Sequence, residues 1–212
     1  SYDNLGRIVE KTNADGSKVS YTYDANGNIL SYTDGNGGTT AYTYDKNNQL
    51  LTVTSPNGGV ITNAYTAGGL IASTTDAEGR VSAYEYDGNH NVTAVTDGRG
   101  NVTHYSYDAM NRLSAVADPE GYTSAYNYDE NGNLTSIVRP DEGVVAYVYD
   151  KANQTTGMTD GNGNATAYVY DKAGNLISET NPNGGTTTYT YDKENKLVKT
   201  TSPLGNETQY VY

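Results

Sequence analysis

The sequence contains no cysteine, which excludes both a disulfide framework and a metal site with thiolate ligands. Large aliphatic residues are scarce: Leu, Ile and Val make up only 32 of the 212 residues, and Phe is absent. A composition this poor in such residues is typical of disordered chains, and no apolar run has the length of a membrane span. Basic residues are also few, because 13 Lys and Arg stand against 25 Asp and Glu. The net charge of −12 makes nucleic acid a poor partner.

Against these absences stands a strict period. A tyrosine recurs every 21 residues from Tyr2 to Tyr212 without insertion or deletion, and it is usually followed by Asp. A slip of one residue would turn every side chain of a strand to the opposite face, so an unbroken period is a packing constraint. The pattern predicts an ordered tandem array, one domain over residues 1–212 with ten units of 21 residues and no caps, stabilised by contacts between neighbouring units.

Each unit carries two turn signals, counted here from the tyrosine of Tyr-Asp as position 0. The first is Asp-x-x-Gly, as in Asp24 to Gly27, where Asp can accept backbone N–H bonds and Gly can take a positive φ. The second is Asn-Gly, as in Asn36-Gly37, the pair that two-residue type I′ hairpins require. The segments between the turns are rich in Thr, Val and Tyr, and their side-chain character alternates with a period of two. The sequence therefore predicts an all-β fold of tandem 21-residue β-hairpins in a continuous antiparallel sheet.

Side-chain parity adds a hypothesis about register. With three residues in the first loop and two in the second, position 6 would lie opposite the tyrosines at positions 0 and 21. Position 6 is aliphatic in nine of ten units, so Tyr and Leu or Ile would form one packed face with Thr at positions 10 and 17 and Tyr at position 19. Positions 5, 7, 9 and 16 would then vary freely on the other face. Proline at position 12 in five units favours a three-residue second loop instead, compensated by a bulge.

The candidate functional residues are those of the repeat motif, and the role expected of them is structural. The tyrosines and aliphatic residues would form the packed column, and the Asp and Gly residues would form the turns. They are Tyr23, Asp24, Gly27, Ile29, Tyr44, Asp45, Leu50, Tyr86, Asp87, Tyr107, Asp108, Leu113, Tyr128, Asp129, Gly132, Leu134, Tyr149, Asp150, Tyr170, Asp171, Gly174, Leu176, Tyr191, Asp192 and Leu197.

Residues for catalysis or metal binding do not stand out from this pattern. The aspartates at positions 1 and 11 are expected at opposite hairpin tips, too far apart to act as an acid–base pair. The segments 97–101 and 160–164 superficially resemble calcium loops but lack the glutamate that closes such a site. His90 and His104 occupy different columns, with no third His or Cys to complete a metal site. We therefore expect no enzyme, no metal and no cofactor.

The recurrent Tyr-Asp-x-x-Gly-Asn-Leu, followed by Thr-Asp-x-x-Gly and Tyr-x-Tyr-Asp, closely resembles the YD repeats of the Rhs (rearrangement hotspot) family over all of residues 1–212. The resemblance implies a sheet of hairpins that curls into a hollow shell or tube, as in bacterial polymorphic toxins, insecticidal toxin complexes and teneurins. In the toxins, it implies, the shell encloses a C-terminal effector. The family's self-cleavage segment has no counterpart after Asp192, so no autoprotease residue is assigned.

The leading functional hypothesis is a non-enzymatic wall segment of a secreted or cell-surface bacterial protein that encloses or displays a toxin. Expected partners are an enclosed effector and, at the open sheet edges, the remainder of its own polypeptide or a neighbouring copy. Because the chain starts without Met, we expect it to be a segment of a longer protein. Two alternatives stay open: a carbohydrate-binding or adhesion surface on the tyrosine face, and a subunit of a head-to-tail extracellular filament.

Overall fold

The structure, a computed structural model, describes all 212 residues as antiparallel β-strands joined by tight turns, with no helix. The strands are β1 (Glu10–Thr12), β2 (Lys18–Tyr23), β3 (Ile29–Thr33), β4 (Thr39–Tyr44), β5 (Leu50–Thr54), β6 (Val60–Tyr65), β7 (Ile71–Thr75), β8 (Val81–Tyr86), β9 (Val92–Thr96), β10 (Val102–Tyr107), β11 (Leu113–Ala117), β12 (Thr123–Tyr128), β13 (Leu134–Val138), β14 (Val144–Tyr149), β15 (Thr155–Thr159), β16 (Ala165–Tyr170), β17 (Leu176–Thr180), β18 (Thr186–Tyr191), β19 (Leu197–Thr201) and β20 (Glu207–Gln209). The predicted all-β fold with a 21-residue hairpin repeat is confirmed. The molecule has no helix that is long and apolar enough to span a bilayer.

Contacts divide the chain into two compact units, residues 1–104 and residues 105–212. Within each unit, successive strands are hydrogen-bonded neighbours, as in the pairs β2–β3 and β3–β4 of the first unit and β12–β13 and β13–β14 of the second. Each unit is thus a meander, in which every repeat packs mainly on the repeats before and after it.

The sheet has almost no interior. Within each unit, contacts between strands join only those adjacent in the sequence, so no second layer of the same unit packs on either face. Val19 and Ala94 are the only buried hydrophobic residues, and no large side chain is fully buried. The expected packed column is therefore only half-buried, and Ile8 and Ile71 remain 41% and 38% exposed. One sheet cannot shield its own faces, because a sheet face is buried only against another layer.

All turns share one geometry, which corrects the prediction of a two-residue Asn-Gly loop. In the second turn of one repeat, the Asp34 N–H donates to Gly38 O at 2.8 Å and the Gly37 N–H donates to Asp34 O at 3.0 Å. Gly37 has φ +87°, whereas Asn36 has no positive φ, so a type I′ turn is excluded. The loop has three residues, a type I turn followed by a left-handed residue. Position 12 is the second residue of this type I turn, where proline is favoured, and this explains why five repeats carry proline there.

A β-bulge in each repeat compensates for the extra loop residue, as the proline positions indicated. Thr22 pairs with Ser31 but Tyr23 pairs with Ile29, so Leu30 at position 7 is the additional residue. Equivalent shifts occur at Tyr44, Tyr65, Tyr86, Tyr128, Tyr149, Tyr170 and Tyr191. The bulge places position 6 opposite position 0, as predicted. On the other side of the strand, Ser31 at position 8 pairs with Ala41 at position 18. Position 6 is therefore level with position 20, and its predicted pairing with position 21 is wrong.

The bulge also changes which residues share a face. Tyr21 pairs with Tyr32 and Tyr32 pairs with Thr40, so position 9 lies with positions 17 and 19 on the tyrosine face. Thr33 at position 10 pairs with Thr39 at position 16, and their hydroxyls lie 2.9 Å apart on the opposite face. The expectation that position 10 joins the tyrosines while position 9 varies freely behind them is wrong. We call positions 0, 6, 9, 17, 19 and 21 the tyrosine face and positions 8, 10, 16, 18 and 20 the second face.

Candidate functional site

The aspartates at positions 1 and 11 cap the turns, as their spacing indicated. Asp24 Oδ1 accepts the backbone N–H groups of Asn26 at 2.9 Å and Asn28 at 2.8 Å, and its Oδ2 accepts the Asn28 side-chain amide at 2.8 Å. These bonds stabilise the carboxylate, and the Asn28 amide is the largest cause of the lowered pKa of Asp24. In the segments 97–101 and 160–164, Asp97 and Asp160 cap ordinary turns in the same way.

Every turn also needs one residue in the left-handed region. Fourteen of these residues are glycine, including Gly27, Gly132 and Gly174 of the repeat motif. The other six are Asn48, His90, Asn111, Glu142, Asn153 and Asn195, with φ between 60° and 69°. Asn tolerates this region better than other side chains, whereas Glu has no local hydrogen bond that offsets the strain. Glu142 is therefore the least suitable residue in these turns.

The tyrosines at position 21 reach across their hairpin to a backbone carbonyl beside the bulge. The Tyr128 hydroxyl donates to Leu113 O at 2.9 Å, and the same bond from position 21 to position 6 has lengths of 2.8–3.0 Å elsewhere. A bulge disrupts the ladder of backbone bonds, so a side-chain donor can satisfy a backbone group there. Phenylalanine could fill the same space but not make this bond, which explains why position 21 carries tyrosine and not Phe.

Position 5 links successive first turns, which the sequence analysis missed. The Asn133 amide donates to Asn153 Oδ1 at 2.8 Å, 20 residues ahead, and the Asn175 amide donates to Asn195 Oδ1 at 2.8 Å. Gln49 and Gln154 donate to the carbonyls of Gly69 and Gly174 in the same way. A signal was present, because position 5 is Arg, Asn, Gln or Lys in nine of ten units, with Leu70 the exception. These side chains form a ladder that joins successive first turns, at one end of the strands.

Arginine at position 5 adds a ring contact to this link. Arg7 pairs with Asp3 at 2.6 Å, donates to Asp24 O at 3.0 Å and places its guanidinium 4.5 Å from the centroid of the Tyr23 ring. Arg112 repeats the arrangement with Asp108 at 2.7 Å and the Tyr128 ring at 4.5 Å. The repeat thus provides a carboxylate and a tyrosine ring that together hold a guanidinium group.

One irregular repeat shows how substitutions are compensated. Asn63 replaces the tyrosine of position 19, and its side chain donates to Leu50 O at 3.1 Å, the carbonyl that also accepts the Tyr65 hydroxyl at 2.8 Å. Thr66 replaces the capping Asp and accepts only the Leu70 N–H, at 3.2 Å. The frame is preserved, although this tip makes fewer bonds than its neighbours.

The remaining motif residues are placed by the register. Each tyrosine of position 0 lies opposite the position 6 residue of its own 21-residue repeat, as in Tyr44 with Leu50 and Tyr191 with Leu197. The same register brings together Tyr86 with Val92, Tyr128 with Leu134, Tyr149 with Thr155 and Tyr170 with Leu176. Asp45, Asp87, Asp108, Asp129, Asp150, Asp171 and Asp192 cap first turns. The structure thus distributes these residues along the repeats and does not converge them into one pocket.

Strand β14 is apolar on both faces. Val144, Ala146 and Val148 lie on the second face, where Val144 and Val148 are 43% and 61% exposed. Tyr147 and Tyr149 lie on the tyrosine face. Strands with apolar residues on both faces are typical of sheets that are covered on both sides. No cluster of three or more His, Cys, Asp or Glu side chains has an arrangement that could hold a metal ion.

The geometry defines a class: a tandem hairpin repeat in which turns, bulge and tyrosine hydroxyls fix a period of 21 residues. The family model described as RHS Repeat matches residues 2–39, 23–60, 65–102, 86–123, 128–165 and 170–207. The chain belongs to the RHS repeat family. A comparison with curated proteins found no match.

Solved structures with a similar fold include toxin complexes. A crystal structure of TcdB2-TccC3-Cdc42 is similar with a TM-score of 0.57 and 15% identity, over 93% of this chain and 13% of that one. The pore of the Tc holotoxin of Photorhabdus luminescens, with a TccC3 variant, is similar with a TM-score of 0.57 and 16% identity, over 97% of this chain and 16% of that one. At these identities the likeness concerns the fold, and this chain spans only a small part of those chains.

Proposed function

We propose that this chain is a wall segment of a shell that encloses a toxin effector in a secreted bacterial protein. The observation that carries the proposal is the lack of an interior: within each unit, strands contact only their chain neighbours, and both faces of the sheet stay half-exposed. A globular domain would cover one face with a second layer. A wall instead meets protein or solvent on each side, and the solved toxin complexes contain the same fold within much longer chains.

The apolar character of β14 supports contact on both sides of this wall. Val144 and Val148 are exposed on the second face, although exposed apolar residues on a sheet face promote aggregation unless something covers them. The tyrosine face of the same strand is half-buried. We propose that the enclosed effector covers one of these faces.

The role proposed for the segment is mechanical and not catalytic. Its aspartates are engaged in capping turns, and the motif residues lie along the repeats instead of around one reacting centre. The partners proposed are the enclosed effector and further wall strands of the same protein. Such strands would pair with the outer edge of β20, whose one strand neighbour is β19, and with residues 1–2, which bond the outer edge of β1. Residues 1–212 would then act as one array within that wall.

Protease protection tests the proposal. The full-length protein is digested with trypsin, and the survival of the effector segment is followed by mass spectrometry beside the effector expressed alone. We expect the enclosed effector to survive while the free effector is degraded. Degradation of both at the same rate, with residues 1–212 still intact, would show that this wall encloses nothing. Export of the protein to the culture medium tests the proposed localisation separately.

A further inference from the structure

Departures from the repeat coincide at one place in the unit formed by residues 105–212. Twenty of the 22 tyrosines occupy positions 0, 19 and 21, and the two exceptions are Tyr32 and Tyr122. Tyr32 lies on the tyrosine face opposite Tyr21. Tyr122 stands instead at position 15, the last residue of a second turn, where the other repeats carry Ser, Gly, Arg or Asn. No structural requirement of the repeat accounts for a tyrosine there.

Tyr122 borders the turn of the next repeat. Position 15 of one repeat touches position 12 of the next, since a Cβ added at Gly185 would lie 3.1 Å from Pro203 Cβ. The equivalent neighbour of Tyr122 is Pro140, and these two residues line a cavity of about 340 Å³ together with Asp118 and Asp141. We call this cavity the Tyr122 groove. Tyr122 itself is 61% exposed, so its ring is available to a ligand.

The two carboxylates of the groove are only partly used by the protein. Asp118 Oδ1 accepts the N–H groups of Glu120 at 3.1 Å and Tyr122 at 2.8 Å. In turns that end on Asn, the second oxygen of the cap accepts the side-chain amide of that residue, as Asp160 Oδ2 does from Asn164 at 2.9 Å. Tyr122 has no such donor in reach, which leaves Asp118 Oδ2 to the groove.

The neighbouring charges keep the groove acidic. Asp141 Oδ1 accepts the Gly143 N–H at 3.0 Å and lies 3.5 Å from Arg139 Nε. Arg139 is the only basic residue of these two turns, which also contain Glu120 and Glu142. An occupant with an apolar stem and a positive head would complement both the ring surfaces and the carboxylates.

We propose that the Tyr122 groove binds an arginine side chain of a polypeptide partner. A guanidinium group can lie over the Tyr122 ring while its N–H groups donate to carboxylate oxygens, and its aliphatic stem can pack on Pro140. The chain already makes this combination twice, where Arg7 meets Asp3 and Tyr23 and where Arg112 meets Asp108 and Tyr128. Tyr122 and Asp118 offer the same two groups without an arginine of their own. This inference does not depend on what the shell encloses.

Peptide titration of the 212-residue chain tests the inference. An arginine hexapeptide and a lysine hexapeptide are titrated into the chain, and binding is mapped by two-dimensional NMR of backbone amides. We expect saturable shifts centred on the turns 118–122 and 139–143, with the arginine peptide bound about threefold more tightly because a planar guanidinium stacks on a ring. Equal affinity for the two peptides would contradict the assignment to arginine.

Matched variants separate the groove from general attraction to an acidic chain. Tyr122→Asn restores the residue that other repeats carry at this position, and Asp141→Asn removes one charge of the groove. Each should weaken arginine-peptide binding about fivefold, whereas Glu130→Gln, the same charge change at a distant tip, should leave it within about twofold. Thermal melting confirms that the variants fold. Unchanged affinity in Tyr122→Asn, or shifts spread evenly over all acidic tips, would overturn the proposal.

Discussion

At the scale of the residue, a few polar atoms explain most of the repeat. One hydroxyl at position 21 bonds the carbonyl beside the bulge, and one carboxylate at position 1 or 11 holds the N–H groups of a turn. Both groups lie on a sheet without an interior, so their hydrogen bonds replace part of the stability that a core would supply. The identities of Tyr and Asp are therefore set by hydrogen bonding more than by burial.

Removal of one tyrosine hydroxyl should destabilise the chain measurably. Tyr128→Phe keeps the ring under Arg112 but loses the bond to Leu113 O, so we expect a loss of about 1 kcal/mol in the free energy of unfolding. Tyr126→Phe on the same face of β12 is the control, because the Tyr126 hydroxyl makes no hydrogen bond within the protein, and its effect should be near zero. Urea titration followed by circular dichroism measures both, and equal losses would show that the hydroxyl bond contributes nothing.

The aspartate caps predict acid sensitivity. The pKa values of Asp24, Asp97 and Asp171 are lowered, chiefly by the side-chain amides of Asn28, Asn101 and Asn175. A carboxyl whose pKa is lower in the folded chain than in the unfolded chain stabilises the fold at any pH above its pKa in the unfolded chain. This stabilisation is lost as the pH falls through its pKa in the folded chain. The melting temperature should therefore fall as pH decreases below 3.8, the ordinary value for Asp. A melting temperature that is the same at pH 3 and pH 6 would contradict this role.

At the scale of the element, the turn and the bulge act as a pair. A three-residue loop at both ends of the hairpin would reverse side-chain parity, and the extra residue at position 7 restores it. The sequence predicted the strands, the places of the turns and the pairing of position 0 with position 6, because local patterns carry these features, but the length of the Asn-Gly loop was wrong. It misplaced positions 9 and 10, because parity depends on the sum of two loop lengths and a bulge, and no single residue reports that sum.

The turn at 139–143 offers a stabilising substitution. Glu142 adopts φ 64°, a conformation that is costly for Glu and open to glycine. Glu142→Gly should raise the free energy of unfolding by about 1 kcal/mol. Glu120→Gly is the matched control: it lies in the neighbouring second turn without a positive φ, and there glycine should destabilise because it only adds freedom to the unfolded chain. Thermal melting compares the two, and destabilisation by both would contradict the turn geometry.

At the scale of the whole molecule, stability is the sum of contacts between neighbouring repeats. Within each compact unit, strands touch only their neighbours in the chain. The array therefore tolerates an irregular repeat, such as the one with Asn63 and Thr66. The period predicted this organisation from the sequence. The exposure of both faces could not be predicted, because it depends on what lies across the sheet and not on the strand itself. The polar residues at position 5 indicated a contact there, but their partners in the next repeat depend on the register of the turns.

The central claim is that a 21-residue frame, and not the content of any one repeat, specifies this fold. Deletion of residues 129–149 joins Tyr128 to Asp150 and removes one whole repeat in frame, whereas deletion of residues 130–149 removes one residue fewer and breaks the frame. We expect the first variant to keep a β-type circular dichroism spectrum and a cooperative thermal transition, and the second to lose both, because its strands beyond the junction present the wrong faces. Equal melting of the two variants would contradict the account.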